Sequence, residues 1–110
     1  MKLTLLERMA TLNILPQQGN VVTLRILMDL KKELSFTEEE IKNYGITNKV
    51  LPDGRAMIIW NNEFDSETKE IELGEVARGV ISEQLHKLDR QGLLREQALT
   101  LWEKFVEGKV

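Results

Sequence analysis

The pattern of apolar and polar residues predicts a helix over residues 20–34 that is apolar on most of its sides. At about 100° per residue, its charged side chains share one narrow arc: Arg25, Asp29, Lys32 and Glu33. Apolar side chains take most of the remaining circumference: Val21, Leu24, Ile26, Leu27, Met28, Leu30 and Leu34. Because a helix of this kind has to be covered on most sides, we expect it to be the central helix of a small core.

Four further segments carry helix signals. Thr4 and Thr37 each precede a glutamate by three residues, which is the spacing of a capping box at the start of a helix. Near the carboxyl end, two amphipathic stripes meet at Gly92, and glycine commonly ends helices. Together with the apolar helix, these signals predict five helices, over 4–13, 20–34, 37–44, 75–91 and 95–106.

Alternation of period two predicts a small antiparallel sheet between residues 46 and 73. The Pro-Asp-Gly turn at 52–54 lies between two β-capable runs and indicates a hairpin. The run at 56–60 is apolar on both faces, so we expect this strand to be central in the sheet or covered on both sides. The segment 69–73 alternates between apolar and acidic residues and predicts a third, half-exposed strand. The expected fold is therefore α+β, with five helices around a central apolar helix and a three-stranded sheet.

Length and composition narrow the class of protein. A chain of 110 residues is expected to form a single domain, 1–110. The absence of cysteine excludes disulfides, thiolate metal sites and cysteine nucleophiles. No apolar run is long enough to span a membrane, and Glu7 and Arg8 interrupt the apolar amino terminus, so neither a membrane anchor nor a signal peptide is expected. These features favour a mature cytoplasmic protein.

No residue pattern reaches the standard of a catalytic, cofactor or metal site, and we expect no enzyme and no cofactor. The single histidine, His86, lies on the charged side of its helix and should face solvent. The acidic segment 61–72 has the spacing of a calcium loop, but Ser66 stands where the loop needs glycine. Gly74 and Gly79 lack the context of a phosphate loop.

The large aromatic residues allow two interpretations. Trp60 and Trp102 are either core residues or parts of a partner-binding surface, where tryptophan is enriched. Phe105 shares the apolar face of its helix with Trp102, which makes all three candidate partner-binding residues. The amphipathic helices carry more apolar surface than one small sheet can cover, so they either cover each other or leave a patch for a partner. We therefore expect a protein partner or a homo-oligomer.

Four runs of the sequence stand out together: LNILPQQGN leading into VVTLRILMDLKKELSFTEEE, a WNN segment, KEIELGEVARGVISEQLHKLD and a closing LWEKF. In these four runs the chain resembles small uncharacterised proteins of bacteriophages and prophages. The resemblance implies the cytoplasm of a bacterial host and a mobile-element origin, but it transfers no activity and no functional residues. The leading hypothesis is a non-enzymatic interaction or assembly protein of phage type.

The alternative hypothesis is a winged-helix DNA-binding regulator. The order of three helices and a hairpin over 4–61 suits that architecture, and Lys49 and Arg55 near the hairpin tip would contact DNA as a wing. Two observations oppose it. The would-be recognition helix begins with three glutamates, at 38–40, which repel phosphate, and the net charge of −3 comes without a basic cluster. Nucleic acid is therefore the less favoured partner.

Overall fold

The structure, a computed structural model, describes residues 1–108 as five α-helices and two small antiparallel sheets. In chain order the elements are β1 (Lys2–Thr4), α1 (Leu5–Ile14), α2 (Val21–Leu34), α3 (Glu38–Tyr44), β2 (Thr47–Val50), β3 (Ala56–Ile59), β4 (Thr68–Glu70), α4 (Glu75–Arg90) and α5 (Leu99–Phe105). Short 3₁₀ turns occupy Asn62–Phe64 and Glu96–Ala98. The predicted α+β fold with five helices is confirmed.

Both predicted capping boxes are present. The Thr4 hydroxyl accepts a hydrogen bond from the Glu7 N–H at 3.0 Å, and the Glu7 carboxylate accepts one from the Thr4 N–H at 2.9 Å. Thr37 and Glu40 make the same pair of bonds at 3.1 and 3.0 Å. Each box satisfies amide groups that the first turn of a helix leaves without partners, which explains why α1 and α3 begin where they do.

The core forms around α1, which packs against α2, α4, α5 and the 96–98 turn. Its buried apolar members come from β1, the end of α1, α2, the segment 71–73, α4, the 96–98 turn and α5: Leu3, Leu15, Leu27, Leu30, Leu34, Ile71, Leu73, Ile81, Leu85, Ala98 and Leu101. The central position predicted for α2 is therefore not confirmed. On α2 only the residues facing α1 and α4 are buried, while Val21 and Val22 are 63% and 66% exposed. The neighbouring helices reach one side of α2 and leave its amino-terminal half in solvent.

The strands pair differently from the prediction of one three-stranded sheet. β2 pairs with β3 in the expected hairpin, but β4 pairs antiparallel with β1, with Lys2 opposite Glu70. The amino-terminal strand was not predicted, because its three residues carry no hairpin signal and their partner lies more than sixty residues away in the chain. The expected alternation at 69–73 is partly retained, since Ile71 and Leu73 are buried.

Arg8 is the most buried charged residue of the structure, at 1% exposure. Its guanidinium donates to the Glu40 carboxylate at 2.6 Å, to the Ser35 carbonyl at 2.8 Å and to the Leu34 carbonyl at 3.3 Å. The Phe36 ring lies against the guanidinium, 4.0 Å from centroid to Cζ. Because carbonyls at the end of a helix lack partners within it, this one side chain joins α1 to the end of α2 and the start of α3.

A second ion pair ties α5 to the amino terminus. The Lys104 ammonium donates to the Glu7 carboxylate at 2.6 Å and to the Lys2 carbonyl at 2.9 Å. Burial acts to raise the pKa of Glu7, but the hydrogen bonds from Lys104 and from the Thr4 N–H outweigh it and lower that pKa below its ordinary value of 4.5. Glu7 is therefore a structural carboxylate.

We expect the Arg8→Met variant to lose about 3 to 5 kcal/mol of the free energy of unfolding, because it leaves the Glu40 carboxylate and two helix-end carbonyls without their donor. Urea unfolding at pH 7 measures the loss. Arg25→Met, on the exposed side of α2, is the control and should stay within about 0.5 kcal/mol of the parent. A loss below about 1 kcal/mol would show that Arg8 does not hold the helices together.

The pH dependence of stability should carry a contribution from Glu40. Burial acts to raise the pKa of Glu40, but the Arg8 hydrogen bond and the Thr37 N–H lower it from 4.5 to about 2. The folded state therefore holds the ionised form more tightly than the unfolded chain does, so this stabilisation is complete above pH 4.5 and is lost as the pH falls towards 2.

Glu40→Gln should accordingly be less stable than the parent at pH 7, and the difference between the two should shrink as the pH approaches 2. The measurement is the urea midpoint of both proteins across this pH range. Because both proteins keep Glu7, the difference between their midpoints reports on Glu40. A difference that stays constant with pH would contradict the lowered pKa.

Candidate functional site

The β2–β3 hairpin, residues 47–59, forms an arm that stands away from the helices. Every residue of both strands is exposed. At its tip the Gly54 N–H donates to the Leu51 carbonyl at 2.9 Å, and the Leu51 N–H donates to the Arg55 carbonyl at 2.7 Å. Gly54 has a φ of 87°, which suits glycine in a turn. The predicted hairpin is confirmed, but the expectation that its second strand is covered on both sides is wrong.

Contacts at its base attach the arm to α3. The Asn61 N–H donates to the Tyr44 carbonyl at 2.9 Å, and the Ile46 N–H donates to the Ile41 carbonyl at 3.0 Å. The rings of Tyr44 and Phe64 also meet, with centroids 5.1 Å apart and planes at 43°. The arm therefore takes its orientation from α3 and from the 62–64 turn, since its strands themselves pack on little else.

A groove of about 780 Å³ separates the arm from the helical body. On the arm side it is lined by Ala56, Met57, Ile58 and Trp60. On the body side it is lined by residues of α1, α4 and the segment 93–98, including Met9, Ile14, Leu88 and Leu94. Arg95 is the one charged residue among those that line it. Asn13, Gln84 and Gln97 line it as well, so this arm groove is a surface of mixed polarity that has the volume of a binding site.

The outer edge of β3 is free to form hydrogen bonds. The Leu51 N–H donates to the Arg55 carbonyl, so residues 51 and 55 form a hydrogen-bonded pair. In an antiparallel ladder every second pair is hydrogen-bonded, which makes 49/57 and 47/59 the next such pairs. The N–H and C=O groups of Ala56 and Ile58 then point away from β2, and within residues 1–108 no backbone group bonds to them. An uncharged strand with an open edge is a template on which another strand can pair.

The structure separates the three predicted partner-binding residues. Trp60 lines the arm groove, and its indole N–H donates to the Asp65 carboxylate at 2.5 Å. Trp102 and Phe105 lie half-buried on α5 against the core, away from the groove. His86 is exposed as predicted, but its ring also meets the edge of Trp102, with centroids 4.9 Å apart.

The two residues proposed for DNA binding lie on the arm, where both are exposed. The Arg55 guanidinium pairs with the Asp53 carboxylate at 2.7 Å across the turn, which neutralises part of its charge. Lys49 faces Met57 in the ladder. The structure thus brings one acidic and two basic residues to the arm without forming a basic patch.

Sequence reasoning missed Met57 and Ile58 as surface residues. The signal was available, because 56–60 is the longest uninterrupted apolar run of the chain. An apolar pattern on both faces predicts a strand that is buried on both faces. The same pattern also fits an exposed strand that another chain covers, and sequence alone does not distinguish the two.

A second cleft, of about 540 Å³, lies beside the Glu7–Lys104 pair. In its wall the Glu7 carboxylate accepts hydrogen bonds from the Lys104 ammonium and from the Thr4 N–H. Among residues 1–108, no three His, Asp or Glu side chains lie together as metal ligands would. In the same part of the chain, no helix has the length and apolarity to cross a membrane.

The chain matches no family model, and no curated protein or solved structure is detectably similar to it. The phage-type resemblance therefore stays a prediction.

We expect Tyr44→Ala to loosen the arm while leaving the helical body intact, because the ring contact with Phe64 is lost at the arm base. Amide hydrogen exchange should accelerate at the β2–β3 bonded residues Met57 and Ile59, and stay slow at Leu30 in the core. Tyr44→Phe keeps the ring and is the matched control. Equal acceleration at Leu30 would show that the arm is not a separate unit.

Proposed function

We propose that the chain is a non-enzymatic protein–protein interaction or assembly module, of the phage or prophage kind that its sequence resembles. The site of interaction is the arm groove, and the ligand is an extended protein segment that pairs with β3. One observation carries this proposal. An uncharged strand, open along its edge, faces a groove of about 780 Å³ that both apolar and polar side chains line.

This combination suits strand addition, in which an extended segment adds to the edge of a sheet. Main-chain hydrogen bonds supply affinity in this mode of binding, and side-chain pockets supply specificity. Here the bonds would come from Ala56 and Ile58, and the pocket from the apolar residues of α1 and α4. Trp60 lies at the end of the strand, as an aromatic anchor in the groove.

The proposal assigns no catalytic role to the charged residues. Glu7 and Glu40, whose carboxylates are largely shielded from solvent, are each held by a cation, Lys104 and Arg8 respectively. Both carboxylates also cap the helix that they begin, which gives them a sufficient structural role.

A winged-helix DNA-binding function is the second candidate, and one observation favours it. Three helices precede an exposed hairpin that carries Lys49 and Arg55. The exposed Glu38 and Glu39 at the start of α3 oppose it, since they would lie against phosphate. This function would be supported if DNA affinity falls steeply as the salt concentration rises, and if the Arg55→Ala variant shows a shallower dependence on salt. Absence of DNA binding at low salt would exclude it.

Partner capture from cells that make the protein tests the interaction proposal. We expect the parent and Val76→Lys, a control on the exposed face of α4, to retain one stoichiometric protein after nuclease treatment. Ile58→Lys should retain about tenfold less of this protein, or none, because the bound segment would bury the new lysine ammonium in the arm groove.

Three outcomes are informative. Loss of the captured material on nuclease treatment would favour the winged-helix function. Equal retention by Ile58→Lys would move the binding site away from the arm. A chain that stays monomeric at every concentration and captures no protein would overturn the proposal.

A further inference from the structure

The arm groove contains one positive charge that the chain itself leaves without a counter-charge. Arg95 lies on the body side of the groove and is exposed. Its acidic neighbour, Glu96, does not line the groove. Among residues 1–108 no carboxylate forms an ion pair with Arg95, whereas Arg8 and Arg55 each have one. A ligand in the groove therefore meets a single unpaired guanidinium.

The groove also offers uncharged hydrogen-bond donors. Three side-chain amides line it, those of Asn13, Gln84 and Gln97, and within residues 1–108 none of them makes a hydrogen bond. Each amide carries two N–H donors, and the guanidinium carries five. A carboxylate accepts several such bonds at once, and its charge is opposite to that of Arg95. A lysine or arginine of the ligand would instead meet a like charge.

We propose that the arm groove takes an extended protein segment that carries an aspartate or glutamate, and that Arg95 binds this side-chain carboxylate. The inference rests on the proposed function, in which the segment pairs with β3, and it names the chemistry of that segment. Ala56 and Ile58 engage the main chain of the segment on the arm side. Arg95 lies on the body side, so the side chains of the segment are what reaches it.

The apolar part of the lining makes the ion pair selective. Ile14, Leu88 and Leu94 line the same side of the groove as Arg95. A segment that covers them displaces water from the groove, so the charges inside it are screened less than on an open surface. A guanidinium that is covered without a counter-charge loses hydration and gains nothing in return. The favoured ligand is therefore an apolar segment with one acidic residue.

A display library of random linear nonapeptides tests this inference. The peptides are joined to the carrier protein at their carboxyl ends, so none has a free terminal carboxylate. Selection on the parent should enrich apolar peptides with Asp or Glu at one position. Selection on Arg95→Glu should enrich Lys or Arg there, because the charge of the groove is reversed. Arg78→Glu makes the same charge change on α4 outside the groove, and should select the same peptides as the parent.

Affinities of one selected peptide measure the size of the effect. The peptide is synthesised with a fluorescent label and an amidated carboxyl end, and its binding is followed by fluorescence anisotropy. Exchanging its acidic residue for the matching amide should weaken binding to the parent by about fivefold or more. Arg95→Gln should bind the two forms within about twofold of each other, because the interaction that distinguishes them is absent. Urea midpoints should be equal for parent and Arg95→Gln, since Arg95 is exposed.

The inference is overturned if the parent selects peptides without an acidic preference, or if Arg95→Glu selects the same peptides as the parent. It is also overturned if Arg78→Glu changes the selection as much as Arg95→Glu does, since net charge alone would then explain the preference. In each of these cases, peptides that fail to bind Ile58→Lys leave the proposed function standing. Selection of no peptide that depends on Ile58 would exclude both.

Discussion

The guanidinium of Arg8 is the interaction on which the arrangement of the first three helices depends. It lies inside the fold, where an unpaired charge is strongly unfavourable. One carboxylate, two helix-end carbonyls and an aromatic ring contact it there and stabilise its charge. The guanidinium is planar and its N–H groups have fixed directions, so the three helices must place their groups at defined positions around it. These hydrogen bonds restrict the relative positions of the helices more than apolar contacts would.

The same network reaches the candidate site. Glu40 receives the Arg8 hydrogen bond, caps α3 through Thr37 and lies 3.4 Å from the Lys69 ammonium of β4. α3 in turn carries Tyr44, whose carbonyl and ring hold the base of the arm. A buried ion pair thus sets the position of an exposed hairpin, although the two share no direct contact.

Strand β3 combines two properties that a monomer normally avoids, exposed apolar side chains without a charge among them and an open sheet edge. The helical body has a complete apolar core, in which every buried side-chain polar atom of residues 1–108 has a partner. Exposed apolar side chains lie on the arm and on the amino-terminal half of α2, and also at Val76, Leu93 and Leu99. The proposed binding of an extended segment at the arm would add a strand to the sheet without disturbing the core.

The sequence alone determined the features that depend on neighbours in the chain. Capping boxes, helix periodicity and the Pro-Asp-Gly turn act within a few residues, and they predicted five helices and the hairpin. Tertiary structure decided which apolar faces are covered. The pairing of β1 with β4, the solvent exposure of Val21 and Val22 and the open edge of β3 all depend on contacts between distant segments. A local pattern records that a face is apolar, but not which element, or which second chain, comes to cover it.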